Sequence, residues 1–262
     1  MSAANTLRLK IEHALESRFP SALSPSPRVE PPRAATGIAT VDDLLAGGLP
    51  IGAISELTGP DCSGRTSLAL AFLAQRTRDD QVCAWVDAAD TFDPESAAAN
   101  GVALRQLLWI RCGATSRLAA QRAADFKSLD QAIRATDLLL QAGGFCAIIL
   151  DLGSTPPAQS RRIPLATWFR FRQASMRAQC SLVVVGQTVC AQSSAHLVLE
   201  CSRLRANSTG GTVLTGFTSE VRRERGIGAK PILSISCVRK PPVSTWTASA
   251  AWTPNDNAEQ RA

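Results

Sequence analysis

Short apolar runs alternate with longer segments of helical periodicity from residue 36 onward. An apolar run bounded by turn residues predicts a strand, whereas apolar residues spaced three and four apart predict a helix. On this basis we expect five strands, at residues 53–59, 82–88, 145–151, 181–187 and 196–204. Helices are expected at residues 65–76, 116–142 and 164–178.

The fold class follows from the order of these segments. Residues 145–151 and 181–187 are almost entirely apolar, as are strands buried on both faces of a parallel sheet. Two further segments, 212–221 and 231–238, predict an antiparallel hairpin at the edge of the sheet. Strands that alternate with helices therefore predict an α/β protein with a mostly parallel, doubly wound sheet and that antiparallel edge.

The two ends of the chain depart from this pattern. Residues 5–18 predict an amphipathic helix, whose apolar face is formed by Leu7, Ile11, Leu15 and Phe19. Residues 20–35 hold five of the fifteen prolines, which interrupt helices and central strands, so we expect a linker there. The predicted organisation is an N-terminal helix (1–19), a linker (20–35), a core (36–240) and a flexible tail (241–262). A helix tethered in this way docks either on its own core or on another molecule, and both alternatives stay open.

Composition narrows the class of protein. The chain has 262 residues, of which 45% are hydrophobic, enough for one α/β core of ordinary size. No apolar run reaches the roughly 18 residues of a membrane span, and the N-terminus lacks the apolar segment of a signal peptide. Eight cysteines are scattered without a CxxC pair, and there are two histidines. We expect a cytoplasmic protein with buried, reduced thiols and no histidine-based metal site.

The charge is unevenly distributed along the chain. The formal net charge is +6, yet residues 152–240 contain 13 Lys and Arg against 3 Asp and Glu. A half-chain this basic predicts a polyanionic partner, such as nucleic acid. If that partner is DNA, we expect the protein to associate with the nucleoid. The alternative is a general bias that favours solubility.

A glycine-rich loop supplies the main candidate chemistry. Residues 59–66, GPDCSGRT, fit the phosphate-loop pattern G-x-x-x-x-G-[K/R]-T between a predicted strand and a predicted helix. The loop glycines allow backbone N–H groups to face a phosphate, the helix N-terminus adds its dipole, and Thr66 is placed to hold Mg²⁺. Arg65 stands where such ATPases have lysine, and the two side chains are not interchangeable. The predicted nucleotide-binding residues are Gly59, Pro60, Asp61, Cys62, Ser63, Gly64, Arg65, Thr66 and Ser67.

The blocks around this loop resemble the core of the RecA recombinase family. Residues 36–70, TGIATVDDLLAGGLPIGAISELTGPDCSGRTSLAL, resemble the family's opening block, and residues 86–102 resemble its next block. AIILD (147–151) is similar to the Walker B strand, and VVVGQ (183–187) to the strand that ends in glutamine. The resemblance runs from about residue 36 to 240, without the family's C-terminal domain. It implies a RecA-like P-loop NTPase core.

The resemblance also shows which parts of the catalytic machinery are replaced. The family's water-activating glutamate falls at Ala89, and the adenine-stacking tyrosine falls at Ser96. Asp93 resembles the aspartate that contacts adenine, and Asp151 resembles the Walker B carboxylate that supports Mg²⁺ together with Thr66. Gln187 resembles the glutamine that senses the γ-phosphate; it and the shifted carboxylate Asp90 are the remaining candidates for a catalytic role. We therefore expect weak binding of ATP and Mg²⁺ with hydrolysis reduced by orders of magnitude.

Candidate DNA contacts lie in the basic half. The loops that bind DNA in the family are short here, at 152–162 and 188–194. Residues 161–177 contain five arginines, no acid and three aromatic residues, which suits phosphate and base contacts. The candidate DNA-binding residues are Arg161, Arg162, Arg170 and Arg172. The alternative is an ordinary helix that buries Leu165, Phe169 and Met176 and exposes its arginines.

Family resemblance also supplies the functional hypotheses. Arg223 and Arg225 fall where RecA filaments reach the neighbouring subunit's nucleotide. Small RecA-like proteins with eroded ATPase motifs resemble the ImuA group of bacterial damage-inducible mutagenesis cassettes. That resemblance implies an SOS-response accessory of translesion synthesis, whose partners would be a Y-family-like polymerase subunit, an error-prone polymerase, RecA or a RecA-like subunit, and single-stranded DNA. The alternatives are an active DNA-dependent ATPase of recombinational repair and a non-catalytic, RecA-like inhibitor of cell division.

Overall fold

The computed structural model describes residues 30–112, 121–209, 213–225 and 232–238, together with positions 6, 7, 10, 11, 13 and 14. Two strands, β1 (Arg33–Ala34) and β2 (Leu49–Pro50), form a small antiparallel pair. The remaining strands form one eight-stranded sheet. They are β3 (Ile54–Thr58), β4 (Cys83–Asp87), β5 (Leu107–Arg111), β6 (Ala147–Asp151), β7 (Ser181–Gly186), β8 (Ala195–Thr209), β9 (Val213–Arg225) and β10 (Ile232–Val238).

The order of strands across the sheet is β10-β9-β8-β3-β7-β6-β4-β5. The six strands from β8 to β5 pair in parallel, whereas β8, β9 and β10 pair antiparallel. This is the α/β architecture of a RecA-like core, so the predicted fold class, including the antiparallel edge, is confirmed. The edge strand β5 was not predicted, although its first four residues, LLWI, form a short apolar run.

Helices cover both faces of the sheet. They are α1 (Ala39–Leu44), α2 (Arg65–Arg78), α3 (Pro94–Ala99), α4 (Gln121–Ala142), α5 (Pro157–Ser160) and α6 (Leu165–Ala178). On one face α2 buries Phe72 and Leu73 against the sheet. On the other face α4 and α6 pack together, and Trp168 and Phe171 of α6 are fully buried there. Because both faces are covered, the central strands are apolar on both sides.

The buried face of α6 differs from the one that the ordinary-helix alternative expected. That alternative buried Leu165, Phe169 and Met176, and this choice of residues is wrong, because their side chains are 39, 43 and 54% exposed. The exposed arginines that it expected are confirmed. Trp168 and Phe171 occupy the core instead, with their rings edge to face at 5.8 Å between centroids. Trp168, Phe171 and Ser175 are spaced three and four residues apart, so they share one buried face of α6, and Phe169 lies on another.

The boundary of the predicted linker also needs correction. Arg33 and Ala34 form β1, which pairs with β2, and Ala34 is buried. The ordered core therefore begins before residue 36. The described positions of the N-terminal segment are helical, and Leu7 and Ile11 are 61 and 51% exposed. Leu15, Phe19 and the predicted tail at 241–262 lie outside the described residues.

Within the part of the chain that the structure describes, no helix combines the length and apolarity that a membrane crossing requires.

Candidate functional site

A cavity of about 410 Å³ opens at the carboxyl edge of β3, β4 and β6. This is the edge at which open α/β sheets bind their ligands. The lining residues that the sequence predicted are Asp61, Cys62, Ser63, Gly64, Arg65, Thr66, Ser67, Asp93 and Asp151. Sequence reasoning missed the apolar part of the lining, which comes from Leu70, Trp85 and Phe92. The volume suits a small ligand.

The glycine-rich loop turns sharply from β3 into α2. Gly59 has a φ of 151°, and a Cβ atom there would lie 2.1 Å from the carbonyl oxygen of Cys201. Gly64 has a φ of 92° and directly precedes the first turn of α2. Cys62 adopts a φ of 61°, a left-handed conformation that non-glycine residues rarely adopt. The backbone therefore has the tight shape of a phosphate-binding loop at a helix N-terminus.

The side chain of Arg65 is held by the protein itself. Its guanidinium is buried and donates to the carbonyl oxygen of Gly59, to the carbonyl oxygen of Gly153 at 2.9 Å and to Oδ1 of Asp61 at 3.0 Å. The arginine thus connects the glycine-rich loop to the segment after β6. A nucleotide phosphate would have to compete with two backbone carbonyls and a carboxylate for this cation.

The segment after β6 supplies the second acidic element of the cavity. Asp151 ends β6, is 7% exposed, and accepts a hydrogen bond from the backbone N–H of Gly153 at 2.8 Å. Burial raises the pKa of Asp151 to about 6, and the nearby charge of Arg65 opposes that rise. Gln187 donates through Nε2 to the Gly153 carbonyl at 3.2 Å. Asp151, Arg65 and Gln187 therefore converge on one short stretch of backbone.

The donor set at this end of the cavity fits Mg²⁺ and phosphate in part. Thr66 and Asp151 line the same cavity, which places a hydroxyl and a carboxylate where a nucleotide-bound Mg²⁺ needs oxygen ligands. The Oγ atom of Ser63 is buried in the loop without a hydrogen-bond partner, so it could form a hydrogen bond with a polar ligand. The cationic Arg65 nearby opposes a second cation, so binding of the ion would depend on the phosphate charge.

Asp87, at the end of β4, forms hydrogen bonds with the backbone of the turn that follows it. Asp87 is fully buried and accepts hydrogen bonds from the backbone N–H groups of Ala89, Thr91 and Phe92, at 3.2, 3.1 and 2.8 Å. The indole N–H of Trp109 also faces this carboxylate, at 3.4 Å. Asp87 therefore fixes the turn that follows β4, a role that sequence reasoning did not identify.

The position of the family's water-activating glutamate lies in this turn. Ala89 has no group that could accept a proton from water. The neighbouring Asp90 has a φ of 58° and forms two hydrogen bonds with Arg111, at 2.6 and 2.7 Å. Those hydrogen bonds lower the pKa of the Asp90 carboxyl. Asp90 is not among the residues that line the cavity, so its catalytic role stays a prediction without geometric support.

Asp93 and Ser96 lie at the mouth of the cavity. Asp93 caps α3 by accepting from the backbone N–H groups of Glu95 and Ser96, and it also accepts from the Ser96 hydroxyl. The Ser96 hydroxyl is the largest cause of a lowered Asp93 pKa. Phe92 lies between the rings of Trp85 and Trp109, with centroids 4.8 and 5.3 Å apart and tilted ring planes. Phe92 and Trp85 line the cavity and give it apolar surface, which Ser96 does not.

The loop between β7 and β8 is short and anchored. Glu56 of β3 is 1% exposed, and its Oε1 accepts from the backbone N–H groups of Cys190 and Ala191, at 2.7 and 2.9 Å. A short 3₁₀ helix, Gln192–Ser194, completes the connection. The segment 188–194, which was predicted to be too short to surround DNA, is therefore held to the core by hydrogen bonds at its middle residues.

The arginines predicted to bind DNA lie on the outer surface. Arg161, Arg162, Arg170 and Arg172 are all exposed. Arg170 forms an ion pair with Asp137 of α4 at 3.0 Å. Phe169 is the one aromatic residue of the 161–177 segment whose ring is exposed, since Trp168 and Phe171 are buried. One base-stacking position, rather than three, is available on this surface.

Arg223 and Arg225, which were predicted to reach the nucleotide of a neighbouring subunit, form hydrogen bonds within their own chain. Arg223 of β9 is 9% exposed and donates to the Leu44 carbonyl at 3.2 Å. Arg225 is exposed and donates to the Gln192 carbonyl. A contact from Arg223 to another subunit would require it to leave a buried position. The trans-subunit role of this pair stays a prediction.

A mostly parallel sheet, a glycine-rich loop that opens α2 and the carboxylate of Asp151 at the end of β6 are the elements of a P-loop core. A model of the RecA N-terminal domain matches residues 23–152. The chain is 29% identical to Protein RecA of Allorhizobium ampelinum over 174 residues, which cover 61% of this chain and 44% of that protein. It is 33% identical to Protein RecA of Colwellia psychrerythraea over 127 residues, covering 47% of this chain and 33% of that protein. These similarities support a place for the chain in the RecA-type family. The chain spans less than half the length of the curated relatives that it matches.

Proposed function

We propose that this protein is a RecA-like accessory of bacterial DNA repair, which binds ATP and Mg²⁺ weakly and hydrolyses ATP negligibly. In this proposal it supports error-prone translesion synthesis in the damage response by binding DNA and a polymerase partner. The observation that carries the proposal is the engagement of Arg65 by the carbonyl oxygens of Gly59 and Gly153. In this proposal the Arg65 guanidinium connects the glycine-rich loop to the segment after β6, and it is not directed at a bound phosphate.

Two independent losses support negligible hydrolysis. Removing one positioned electrostatic group from an active site lowers turnover by roughly 10² to 10³. Here the general base is replaced by Ala89, and the phosphate-facing cation is replaced by an arginine with other partners. Binding is less affected than turnover, because Ser63, Thr66 and Asp151 still line the cavity.

A nucleotide titration tests the role of Arg65. We expect wild-type protein to bind a fluorescent ADP analogue weakly with Mg²⁺, and Arg65→Lys to bind it about tenfold more tightly, because lysine cannot reproduce the forked contacts. Arg78→Lys, at the exposed end of the same helix, is the matched control and should equal wild type. Equal affinity of wild type and Arg65→Lys would contradict the proposed role of Arg65.

The exposed arginines support contact with single-stranded DNA. Binding through a few phosphates predicts weak affinity without sequence preference and a log–log salt slope of about −2 to −4. Alanine at Arg161, Arg162, Arg170 and Arg172 should flatten that slope. The matched control removes the same number of charges, at four exposed residues elsewhere on the surface: Arg78, Arg105, Lys127 and Arg134. If both variants lost the same DNA affinity, the effect would come from net charge and not from a specific contact surface.

Partner binding separates the accessory hypothesis from its alternatives. Co-purification from damage-treated cells should recover a polymerase subunit or RecA with the full chain. Deleting residues 1–29, which keeps β1 intact, should weaken that recovery because Leu7 and Ile11 are exposed on the N-terminal helix. Full ATP turnover with DNA would favour the active ATPase, and recovery of a cell-division protein alone would favour the inhibitor.

A further inference from the structure

Two cysteines lie together at the amino edge of the sheet, the edge opposite the glycine-rich loop. Cys83 is the first residue of β4, and Cys146 directly precedes β6. Their sulfur atoms are 3.4 Å apart. The backbone N–H of Cys146 donates to the Val82 carbonyl at 3.0 Å, so the two thiols belong to strands that are already paired.

The two thiols differ in exposure and in proton affinity. Cys83 is fully buried, whereas Cys146 is partly exposed. A hydrogen bond from Cys83 is the main cause of a lowered pKa at Cys146, and the charge of Arg76 acts in the same direction. The same hydrogen bond, with burial, raises the pKa of Cys83. Cys146 is therefore the thiol of the pair that loses its proton more readily.

Two residues that interact with the pair, Arg76 and Gln81, also have buried polar side-chain atoms without hydrogen-bond partners. The Nε atom of Arg76 and the Oε1 atom of Gln81 are buried without hydrogen-bond partners. The thiol of Cys83 lies 3.7 Å from the Gln81 carbonyl. Cys201, in the same apolar cluster, has no thiol partner among the described residues, and burial raises its pKa to about 12. Cys146 differs from it by the thiol of Cys83 at 3.4 Å and by the charge of Arg76, both of which lower its pKa.

We propose that Cys83 and Cys146 form an oxidation-sensitive dithiol, which a hydroperoxide converts into an intramolecular disulfide. The Cys146 thiolate attacks one peroxide oxygen, the O–O bond breaks, and the released hydroxide takes a proton to become water. The Cys83 sulfur then attacks the Cys146 sulfenic acid; the S–S bond forms, the S–O bond breaks, and the hydroxide leaves as water with the Cys83 proton. Two thiols are oxidised and one peroxide is reduced to two waters.

The paired strands make this closure a local step. A disulfide needs the two sulfur atoms at about 2.05 Å, so they must approach by less than 2 Å, roughly one bond length. The hydrogen bonds between β4 and β6 hold the backbones during that approach. The bridge would join residues 63 positions apart in sequence, at the start of the two strands that end in Asp87 and Asp151.

Peptide mapping after peroxide treatment tests the proposal directly. The reduced full chain is treated with hydrogen peroxide, free thiols are alkylated under denaturing conditions, and the digest is analysed by mass spectrometry. We expect loss of two titratable thiols per chain, a 2 Da decrease in intact mass, a Cys83–Cys146 linked peptide, and reversal by dithiothreitol. A peptide link between other cysteines, or full alkylation of both Cys83 and Cys146, would overturn it.

Variants assign the order of the two steps. With Cys83→Ala and Cys180→Ala combined, a sulfenic acid trap such as dimedone should label Cys146, because both thiols that act on it are removed. With Cys146→Ala, residue Cys83 should stay unlabelled, since it is buried and protonated. Cys201→Ala, also a buried cysteine on the same face of the sheet, should form the bridge as wild type does. Labelling of Cys83 would contradict the proposed order, and the mapping on wild type holds even if a variant fails to fold.

Discussion

Two loops at the same edge of the sheet use their acidic residues in opposite ways. After β6, Asp151 lines the cavity together with Thr66 and the unpartnered Ser63 hydroxyl. After β4, Asp87 is committed to three backbone N–H groups and Asp90 to Arg111. The two strands are neighbours, with Asp87 opposite Asp151 in the register. The difference between the loops is therefore one of hydrogen-bond partners rather than of position.

Under the proposed function, this contrast accounts for the retention of binding and the loss of hydrolysis. The loop after β6 places the carboxylate of Asp151 in the lining of the cavity, where the proposal assigns it to Mg²⁺. In the loop after β4 the carboxylates stabilise the turn, and Ala89 leaves no base for water. Electrostatic groups assist a reaction only when they are aimed at the reacting atoms. Here the carboxylates after β4 are held by other partners.

The largest expected effect is on the turn after β4. Asp87→Ala removes a buried charge and leaves several backbone N–H groups without acceptors, so we expect the free energy of unfolding to fall by about 3 to 5 kcal/mol. Urea denaturation measures this change. Asp90→Ala in the same turn is the control and should have a much smaller effect, because its partner Arg111 is 60% exposed. Equal effects of the two substitutions would show that Asp87 is not the structural element of this loop.

A second expectation concerns Asp151, whose substitution should raise the free energy of unfolding, whereas substitution of Asp87 should lower it. Burial raises its pKa from 3.8 to about 6, so the folded chain binds this proton more tightly than the unfolded chain. The contribution favours folding below about pH 4 and is lost as the pH rises through about 6. Above that pH the buried charge costs on the order of 2 to 3 kcal/mol.

Asp151→Asn should consequently raise the unfolding free energy at pH 7.5 and have little effect near pH 4. Paired urea titrations of the variant and wild type at the two pH values measure the difference. Asp130→Asn on α4, whose side chain is 60% exposed, provides a matched surface control. A variant that is destabilised at pH 7.5 would mean that the Asp151 charge is compensated in the folded chain. That result would remove the contrast between the two loops.

The smallest expected effect is at Asp90. Asp90→Asn breaks the exposed ion pair with Arg111 but removes no group that lines the cavity. We expect unchanged nucleotide affinity and unchanged residual ATP turnover, with Thr66→Ala as the control that lowers both. A large loss of turnover in Asp90→Asn would identify this carboxylate as a working substitute for the missing glutamate.

The sequence was sufficient for features set by local patterns. The apolar runs predicted the central strands because strands buried on both faces tolerate few polar residues. The glycine-rich loop was predicted because its φ values and close backbone approach need glycine at positions 59 and 64. The hairpin of β9 and β10 followed from alternation of apolar and polar residues.

Features set by tertiary contacts were not predictable in the same way. One of the three partners of Arg65, the Gly153 carbonyl, lies 88 positions away in sequence, so the motif alone left the direction of the arginine side chain open. Asp87 matches the family block, but its buried turn-forming role depends on where Trp109 and the following backbone lie. The buried face of α6 was misassigned because two aromatic residues compete with three other apolar residues for the core.

The central claim is that the site binds nucleotide without hydrolysing it, and steady-state ATP turnover tests this most directly. Turnover is measured at saturating ATP and Mg²⁺ with single-stranded DNA, beside a RecA recombinase under identical conditions. We predict a rate at least about 100-fold below that recombinase, and a partial gain in the double variant Ala89→Glu with Arg65→Lys. Wild-type turnover within about threefold of the recombinase, a difference of less than 1 kcal/mol in the barrier, would contradict the claim and establish an active ATPase.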